Sequence, residues 1–190
     1  MIELFVDTTS NCITIALNKN NVIDCRQQTS NMKHSYYVMN MIDNILKDNN
    51  IKVEDLTKII VCNGPGSFTG IRVGVSICKT IAYVKKIPIT TISSLELISL
   101  GRNGIVMQMD KEDNFYYGVY KDGNIIIEAY DKKDRILSLK DKYGVGYIKD
   151  PLKVDESLFL YCKNKSTLNP HSINPLYLKL TSAEIGLLND

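Results

Sequence analysis

The sequence lacks the cysteine spacings that metal sites and disulfide frameworks use. Its five cysteines are odd in number, and no two of them form a C-x-x-C pair. Four of them lie within apolar runs, where a free thiol behaves as a small buried side chain. We therefore predict neither a metal site nor a disulfide, and we expect a reducing cytoplasmic location.

Long apolar segments and an excess of one charge are also missing. No apolar run approaches the roughly 20 residues that cross a bilayer, and Glu3 and Asp7 interrupt the first apolar stretch, where a signal peptide would be uncharged. Lys and Arg number 23 against 21 Asp and Glu. This balance is too even for a protein that binds nucleic acid on its own through phosphate contacts. We expect a cytosolic protein with no membrane partner, which meets RNA only within a complex.

Strands and helices alternate in the first half of the chain. Hydrophobic periodicity predicts strands at residues 2–6, 12–17, 22–26, 58–62 and 88–92, and helices at residues 35–48 and 71–84. Ser93 is predicted to cap a third helix, with Glu96 completing a capping box. The order βββαβαβα is that of ribonuclease H-like and actin-like (ASKHA) domains, so the predicted fold class is α/β.

The run Gly-Arg-Asn-Gly at residues 101–104 predicts a boundary, with an N-terminal subdomain at 1–102 and a shortened C-terminal subdomain at 103–190. The second half is expected to be an abbreviated copy of the first. Its predicted features are strands at 105–109, 115–121, 125–130 and 143–148, a hairpin turn at 121–124, a charged loop or solvated face at 131–142, and a short helix at 155–162.

The most informative segment joins the strand at 58–62 to the helix at 71–84. It contains Gly64, Pro65, Gly66, Ser67, Phe68, Thr69, Gly70, Arg72 and Gly74. Backbone N–H groups at such a helix start can bind an anion. However, the Lys that a P-loop needs is absent after Gly70, and the glycine spacing is one residue too long for a dinucleotide-binding fingerprint. A phosphate site and a tight turn that permits close packing both remain open.

The two longer predicted helices carry broad apolar faces. The first has Val38, Met41, Ile42 and Ile45 at helical spacing, and Tyr37, Met39 and Leu46 widen this arc. The second combines the small residues Gly70, Gly74 and Ser76 with a stripe of Ile71, Val75, Cys78 and Ala82. So wide an apolar arc is consistent with a partner surface and equally with a wholly internal core.

Residues 64–74 resemble the signature of the TsaB (YeaZ) family of tRNA threonylcarbamoyladenosine biosynthesis proteins. Supporting matches lie at residues 4–9, 34–35, 92–96, 116–120 and 175–179, and at Asp110. The resemblance implies a fold of the actin/Hsp70/sugar-kinase superfamily and a paralogous relationship to TsaD, the catalytic subunit of the same pathway.

The resemblance implies a non-catalytic dimerisation or scaffold subunit that TsaD requires to attach threonylcarbamoyl to adenosine 37 of tRNAs reading ANN codons. It implies TsaD and the ATPase TsaE as partners, tRNA as a substrate of the whole complex, and a homodimer when the chain is alone. No cofactor, metal or catalytic residue is expected. The expected partner interface consists of Val38, Met41, Ile42, Ile45, Val75, Lys79 and Ala82.

Two departures from catalytic relatives support this expectation. TsaD carries a His-x-x-x-His metal pair at the start of the first helix, whereas here His34 is followed at the fourth position by Val38. Metalloprotease activity is therefore not expected, and His34 is predicted to form a local hydrogen bond. Actin-like ATPases have a glycine after the first Asp, but Asp7 is followed by threonines and is predicted to cap its own turn.

The alternative to a scaffold function is an ATP-dependent phosphotransferase or hydrolase that uses Asp7, the glycine turn and Asp110.

Overall fold

The computed structural model describes residues 1–29, 34–149 and 154–179. Its strands are β1 (Ile2–Asp7), β2 (Cys12–Lys19), β3 (Val22–Thr29), β4 (Lys58–Cys62), β5 (Ile89–Ile92), β6 (Gly104–Lys111), β7 (Asn114–Lys121) and β8 (Asn124–Lys132). Its α-helices are α1 (His34–Asp48), α2 (Phe68–Lys85), α3 (Ser94–Ser99), α4 (Lys133–Leu137), α5 (Leu139–Tyr143) and α6 (Glu156–Cys162). Within these residues, no helix is both long enough and apolar enough to cross a membrane.

The first sheet has the strand order β3-β2-β1-β4-β5. Its first three strands are antiparallel neighbours, while β4 pairs in parallel with β1 and β5. Side chains alternate across the sheet: Leu4 and Val6 pack in the cluster that contains the buried sides of α1 and α2, whereas Phe5 packs with residues of α3 and α6. Both faces of β1 are therefore covered, which explains its nearly continuous apolar sequence.

The predicted order βββαβαβα is confirmed, and the chain has an actin-like α/β fold. The capping box at α3 is also confirmed. The Ser93 hydroxyl oxygen accepts a hydrogen bond from the Glu96 amide at 2.9 Å, and the Glu96 carboxylate accepts one from the Ser93 amide at 3.4 Å. The side chain of His34, for which a local hydrogen bond is predicted, lies outside the residues that the structure describes.

The second sheet is an antiparallel meander in the order β6-β7-β8. The predicted hairpin between β7 and β8 is confirmed, with Asp122 and Gly123 at positive φ. The sequence predicts a charged loop or a solvated face at residues 131–142. The loop prediction is wrong, because this segment contains α4 and α5. Ile136 of α4 is fully buried in a cluster with Ile105 and Val119, and Leu139 and Tyr143 of α5 pack against the same cluster, so apolar contacts hold these charged helices against the sheet.

The strand predicted at residues 143–148 is wrong for most of its length. Tyr143 ends α5, and the remaining pairing is one parallel bridge between Tyr147 and Ile105. The predicted short helix near 155–162 is confirmed as α6, which begins after the capping residue Asp155. Because Leu158 and Phe159 pack against the first sheet, α6 contacts the opposite side of the predicted boundary at residue 102. The two-subdomain division stays a prediction.

Candidate functional site

The glycine turn packs directly on the turn between β1 and β2. A Cβ atom on Gly66 would lie 2.2 Å from the carbonyl oxygen of Thr9, and one on Gly70 would lie 2.0 Å from the carbonyl oxygen of Thr8. The Ser67 amide donates a hydrogen bond to the same Thr9 carbonyl at 2.6 Å. Glycine is required here because backbone atoms of the two turns approach closer than any side chain allows.

The side chain of Thr8 extends this contact along α2. Its hydroxyl donates a hydrogen bond to the Gly70 carbonyl at 2.7 Å and lies 2.3 Å from where a Cβ on Gly74 would be. Thr8 and Gly70 are both fully or almost fully buried. The three glycines at 66, 70 and 74 thus form the face on which α2 meets the end of β1.

Two amide groups at the glycine turn and the start of α2, those of Ser67 and Gly70, donate to protein acceptors. Ser67 caps the helix by accepting a hydrogen bond from the Gly70 amide at 3.3 Å, and its own amide is bonded to Thr9. Asp7 accepts a hydrogen bond from the Thr9 amide at 2.8 Å, which confirms the predicted capping of this turn. Burial raises the pKa of Asp7, and hydrogen bonds from Thr9 and Cys62 partly oppose that effect.

A cleft of about 650 Å³ lies between the glycine turn and the second sheet. Asp110 lines it and forms an ion pair with Lys179 at 2.6 Å, while the Tyr130 hydroxyl donates to the same carboxylate oxygen at 3.0 Å. Burial tends to raise the pKa of Asp110, but the bonds from Lys179 and Tyr130 outweigh it and lower this pKa. Asp110 is therefore a paired carboxylate.

The remaining motif residues contact α3 and the C-terminal part of the chain. The Pro65 carbonyl accepts a hydrogen bond from the Ser94 hydroxyl at 2.7 Å. Phe68 stacks on Tyr177 with ring centroids 4.9 Å apart, and the Arg72 guanidinium lies 3.9 Å from the Phe68 ring centre. A Cβ on Gly64 would lie 2.6 Å from the carbonyl oxygen of Leu176. Thr69 is exposed at the helix start.

The predicted interface residues lie largely beneath the surface of the two helices. Five of these seven side chains are buried in the core between the helices and the first sheet: Val38, Ile42, Ile45, Val75 and Ala82. Met41 is half-buried and packs against the same core. Lys79 is half-buried, and its ammonium donates a hydrogen bond to the Ile173 carbonyl at 3.0 Å.

Comparisons with known proteins identify the family. A family model described as TsaD, tRNA N6-adenosine threonylcarbamoyltransferase, matches residues 27–159. The tRNA threonylcarbamoyladenosine biosynthesis protein TsaB of Bacillus subtilis is 30% identical, and the match covers 97% of this chain and 96% of that protein. The chain belongs to the TsaB (YeaZ) family.

Two further relatives agree with this assignment. TsaB of Buchnera aphidicola from Schizaphis graminum is 26% identical over 88% of this chain and 91% of its own length. A crystal structure of a Pseudomonas aeruginosa protein with similarity to peptidase YeaZ superposes with a TM-score of 0.76, at 16% identity, over 94% of this chain and 99% of that one. At this identity, the superposition supports the fold alone.

In this TsaB-family chain, the exposed apolar residues of the helix pair differ from those that the periodicity singles out. They are Tyr36 (65% exposed) and Met39 (48%) on α1, and Phe68 (44%), Tyr83 (59%) and Val84 (64%) on α2. The sequence signal for Met39 is the widening of the apolar arc on α1. Tyr36, Tyr83 and Val84 are apolar residues outside the core stripes, and only the placement of both helices on the sheet distinguishes them from buried positions.

Proposed function

We propose that this chain is a non-catalytic scaffold subunit of the complex that attaches threonylcarbamoyl to adenosine 37 of tRNAs reading ANN codons. In this proposal it binds its TsaD paralogue through the outer surface of α1 and α2. Family membership supports the pathway. The observation that carries the proposed surface is the set of exposed apolar side chains Tyr36, Met39 and Val84 on these two helices, of which Met39 and Val84 border one groove.

A groove between the two helices supports a helical partner. It encloses about 390 Å³ and is lined mostly by apolar atoms from both helices and from the segment that follows α1. Met39 and Val84 border it, and Ile42, Leu46 and Ile81 form its floor and sides. An apolar groove between two helices suits an amphipathic helix, which buries its own apolar stripe there.

Charges at the edge of this groove are paired within the chain. Lys47 forms an ion pair with Asp43 at 2.6 Å, one helical turn apart on α1. Lys85 at the end of α2 is paired with Glu54. A partner that buries the groove therefore meets an apolar centre surrounded by neutralised charge, which is the usual composition of a protein interface.

The contacts of the glycine turn support a non-catalytic role. In an actin-like ATPase this turn and the first hairpin would face phosphate, whereas here Ser67 and Gly70 direct their amides to protein acceptors. Asp7 is buried and caps its own turn, and Asp110 is paired with Lys179. The acidic groups named for the alternative phosphotransferase function thus have structural partners.

The remaining partners follow from the same proposal. The TsaE ATPase joins the assembly, and tRNA binds as the substrate of the whole complex. Without its paralogue, the chain pairs with a second copy through the α1–α2 surface, because an apolar surface that suits a related fold also suits its own.

Depletion of this protein in its own organism tests the proposed function. Mass spectrometry of nucleosides from purified tRNA should show a loss of threonylcarbamoyladenosine, and expression of the wild-type chain should restore it. Unchanged levels after confirmed depletion would exclude a role in this modification.

A further inference from the structure

Residues 173–179, called the strap below, cross the cleft and contact the first sheet at one end. Ile173 is 2% exposed and packs in the core formed by α1, α2 and the sheet. The Asn63 side-chain amide donates to the Asn174 carbonyl at 3.2 Å, and the Leu176 amide donates to the Asn63 carbonyl at 2.7 Å. The strap therefore begins as an integral part of the first half of the molecule.

One side of α2 holds the middle of the strap. The Lys79 ammonium bonds to the Ile173 carbonyl at 3.0 Å, and the Arg72 guanidinium donates to the Tyr177 hydroxyl at 2.8 Å. Tyr177 also stacks on Phe68, one helical turn before Arg72. These helix residues share a side of α2 that differs from the side carrying Val84, so the strap and the groove occupy separate surfaces of one helix.

The far end of the strap is fixed to the second sheet. The Lys179 ammonium pairs with Asp110 of β6 at 2.6 Å and lies 5.2 Å from the ring centre of Tyr130 on β8. Leu178 packs against a buried cluster that includes Val106 and Tyr116. The last residues of the strap thus contact both edge strands of the second sheet.

A second linkage between the halves lies at α3. Ser93 donates a hydrogen bond to Glu128 of β8, and the Ser94 hydroxyl, which donates to the Pro65 carbonyl, lies 3.0 Å from the side-chain oxygen of Gln108 on β6. The two halves are therefore joined by these contacts at α3 as well as by the strap.

We infer that the strap is a latch that closes the cleft. It couples the start of α2 to the second sheet, so that release at Lys179 also loosens the contacts at Arg72 and Asn63. The inference concerns the isolated chain and does not depend on the proposed partner surface. It makes this segment the structural element through which a change in the cleft reaches α2.

Hydrogen–deuterium exchange of the full chain tests the latch. Lys179→Met removes the ion pair at the second sheet, and Arg72→Met removes the hydrogen bond at α2. Each variant should raise the exchange rate at both ends, at the Leu176 amide and at residues 108–110, by roughly fivefold or more, because opening requires the release of a linked unit. Lys140→Met, at an exposed lysine of α5, is the matched control and should leave both regions unchanged.

A conservative variant separates coupling from simple loss of packing. Lys179→Arg retains the charge and should keep wild-type exchange at Leu176. If Lys179→Met raises exchange only at the strap's last residues and in β6, with the Leu176 amide unchanged, the strap is an ordinary surface segment and the latch is excluded. Loss of tRNA modification plays no part in this test, so its outcome is distinct from that of the proposed function.

Discussion

The Thr8 hydroxyl lies 2.3 Å from the position that a Cβ atom on Gly74 would occupy. This relationship gives the long glycine motif its physical meaning. Gly66 and Gly74 are eight positions apart, yet both pack against the turn that follows β1. Gly70 lies between them and packs against the same turn. The motif sets how closely α2 crosses the end of β1, and with it the position of the helix face that we propose for partner binding.

A methyl group at position 74 should therefore destabilise the fold through Thr8. We expect Gly74→Ala to lower the free energy of unfolding by about 1–3 kcal/mol, the usual cost of overpacking. Chemical denaturation measures this value. Gly146→Ala is the matched control, because a Cβ there would have no heavy atom within 4 Å, and its effect should stay within about 0.5 kcal/mol.

The same contact predicts a rescue. Thr8→Ala removes the hydroxyl and the methyl group that face Gly74, although it also loses the hydrogen bond to the Gly70 carbonyl. In a double-mutant cycle, Thr8→Ala combined with Gly74→Ala should be less destabilising than the sum of the single changes by about 1 kcal/mol. Additive effects would show that Thr8 does not set the requirement for glycine.

Replacing the capping residue of α3 should destabilise the fold, because Ser93 makes two hydrogen bonds. Ser93→Ala removes the acceptor for the Glu96 amide and one donor to Glu128. We expect a loss of about 1–2 kcal/mol in unfolding free energy, within the range measured for helix caps. Ser76→Ala, at an exposed position inside α2, should be neutral or slightly stabilising. Equal effects of the two changes would contradict the capping role.

Glu128 predicts a pH dependence of stability. Burial raises its pKa above the ordinary value of 4.5, while hydrogen bonds from Ser93 and Tyr120 partly offset this and the Glu96 charge adds to it. A raised pKa in the folded state favours the protonated form. Protonated Glu128 therefore contributes its full stabilisation at pH values below the pKa that this residue has in the unfolded chain. That contribution is lost as the pH rises through the higher pKa of Glu128 in the folded protein.

Glu128→Gln should accordingly remove this pH-dependent loss. Relative to the wild type, the variant should become more stable as the pH rises from acid to neutral, when unfolding free energies are compared at each pH. A difference between the two proteins that stays constant across this range would contradict the raised pKa.

Thiol reactivity should separate the five cysteines by burial. Burial raises the pKa of Cys78 and of Cys162 to about 12 each, and it raises that of Cys62 well above its ordinary value. Partial burial and the Asp24 charge also raise the pKa of Cys25. In a native sample at mildly alkaline pH, an aromatic disulfide reagent should still modify Cys25 first, because this thiol is exposed to the reagent. Peptide mass spectrometry identifies the site. Rapid labelling of Cys78 in the folded protein would contradict its placement in the core.

The sequence alone was enough to predict the elements whose hydrogen bonds join residues that are close in the chain. The capping box at Ser93 and Glu96, the hairpin at Asp122 and Gly123 and the cap at Asp7 each involve residues that are close in sequence, so residue type alone identifies them. The order of strands and helices along the first half also follows from the regular alternation of its sequence.

Contacts between distant residues could not be predicted in this way. The pair of Lys179 and Asp110 joins residues 69 positions apart, and no periodicity connects them. Ile136 lies in a mostly charged segment, yet it is fully buried against residues that are distant in sequence, such as Ile105. For α2, the periodicity places Val75 in the apolar stripe and Val84 outside it, but it does not say which of the two faces the sheet; Val75 is 2% and Val84 is 64% exposed. Only the packing of α2 on the sheet separates core from surface.

Charge on the exposed face should prevent partner binding without unfolding the chain. Met39→Glu combined with Val84→Glu changes two exposed residues at the groove, whereas Val75→Glu would place a charge in the core. Leu160→Glu is the matched control, since this residue of α6 is 66% exposed and lies away from the groove. Circular dichroism should show the wild-type fold for both proteins.

Isothermal titration calorimetry of these variants with the TsaD paralogue of the same organism is the decisive measurement. The Met39→Glu and Val84→Glu double variant should bind at least about tenfold more weakly than the wild type, a change of about 1.4 kcal/mol, while Leu160→Glu should bind as the wild type does. Wild-type affinity in the double variant, with its fold intact, would contradict the proposal that the outer face of α1 and α2 is the surface through which this chain acts.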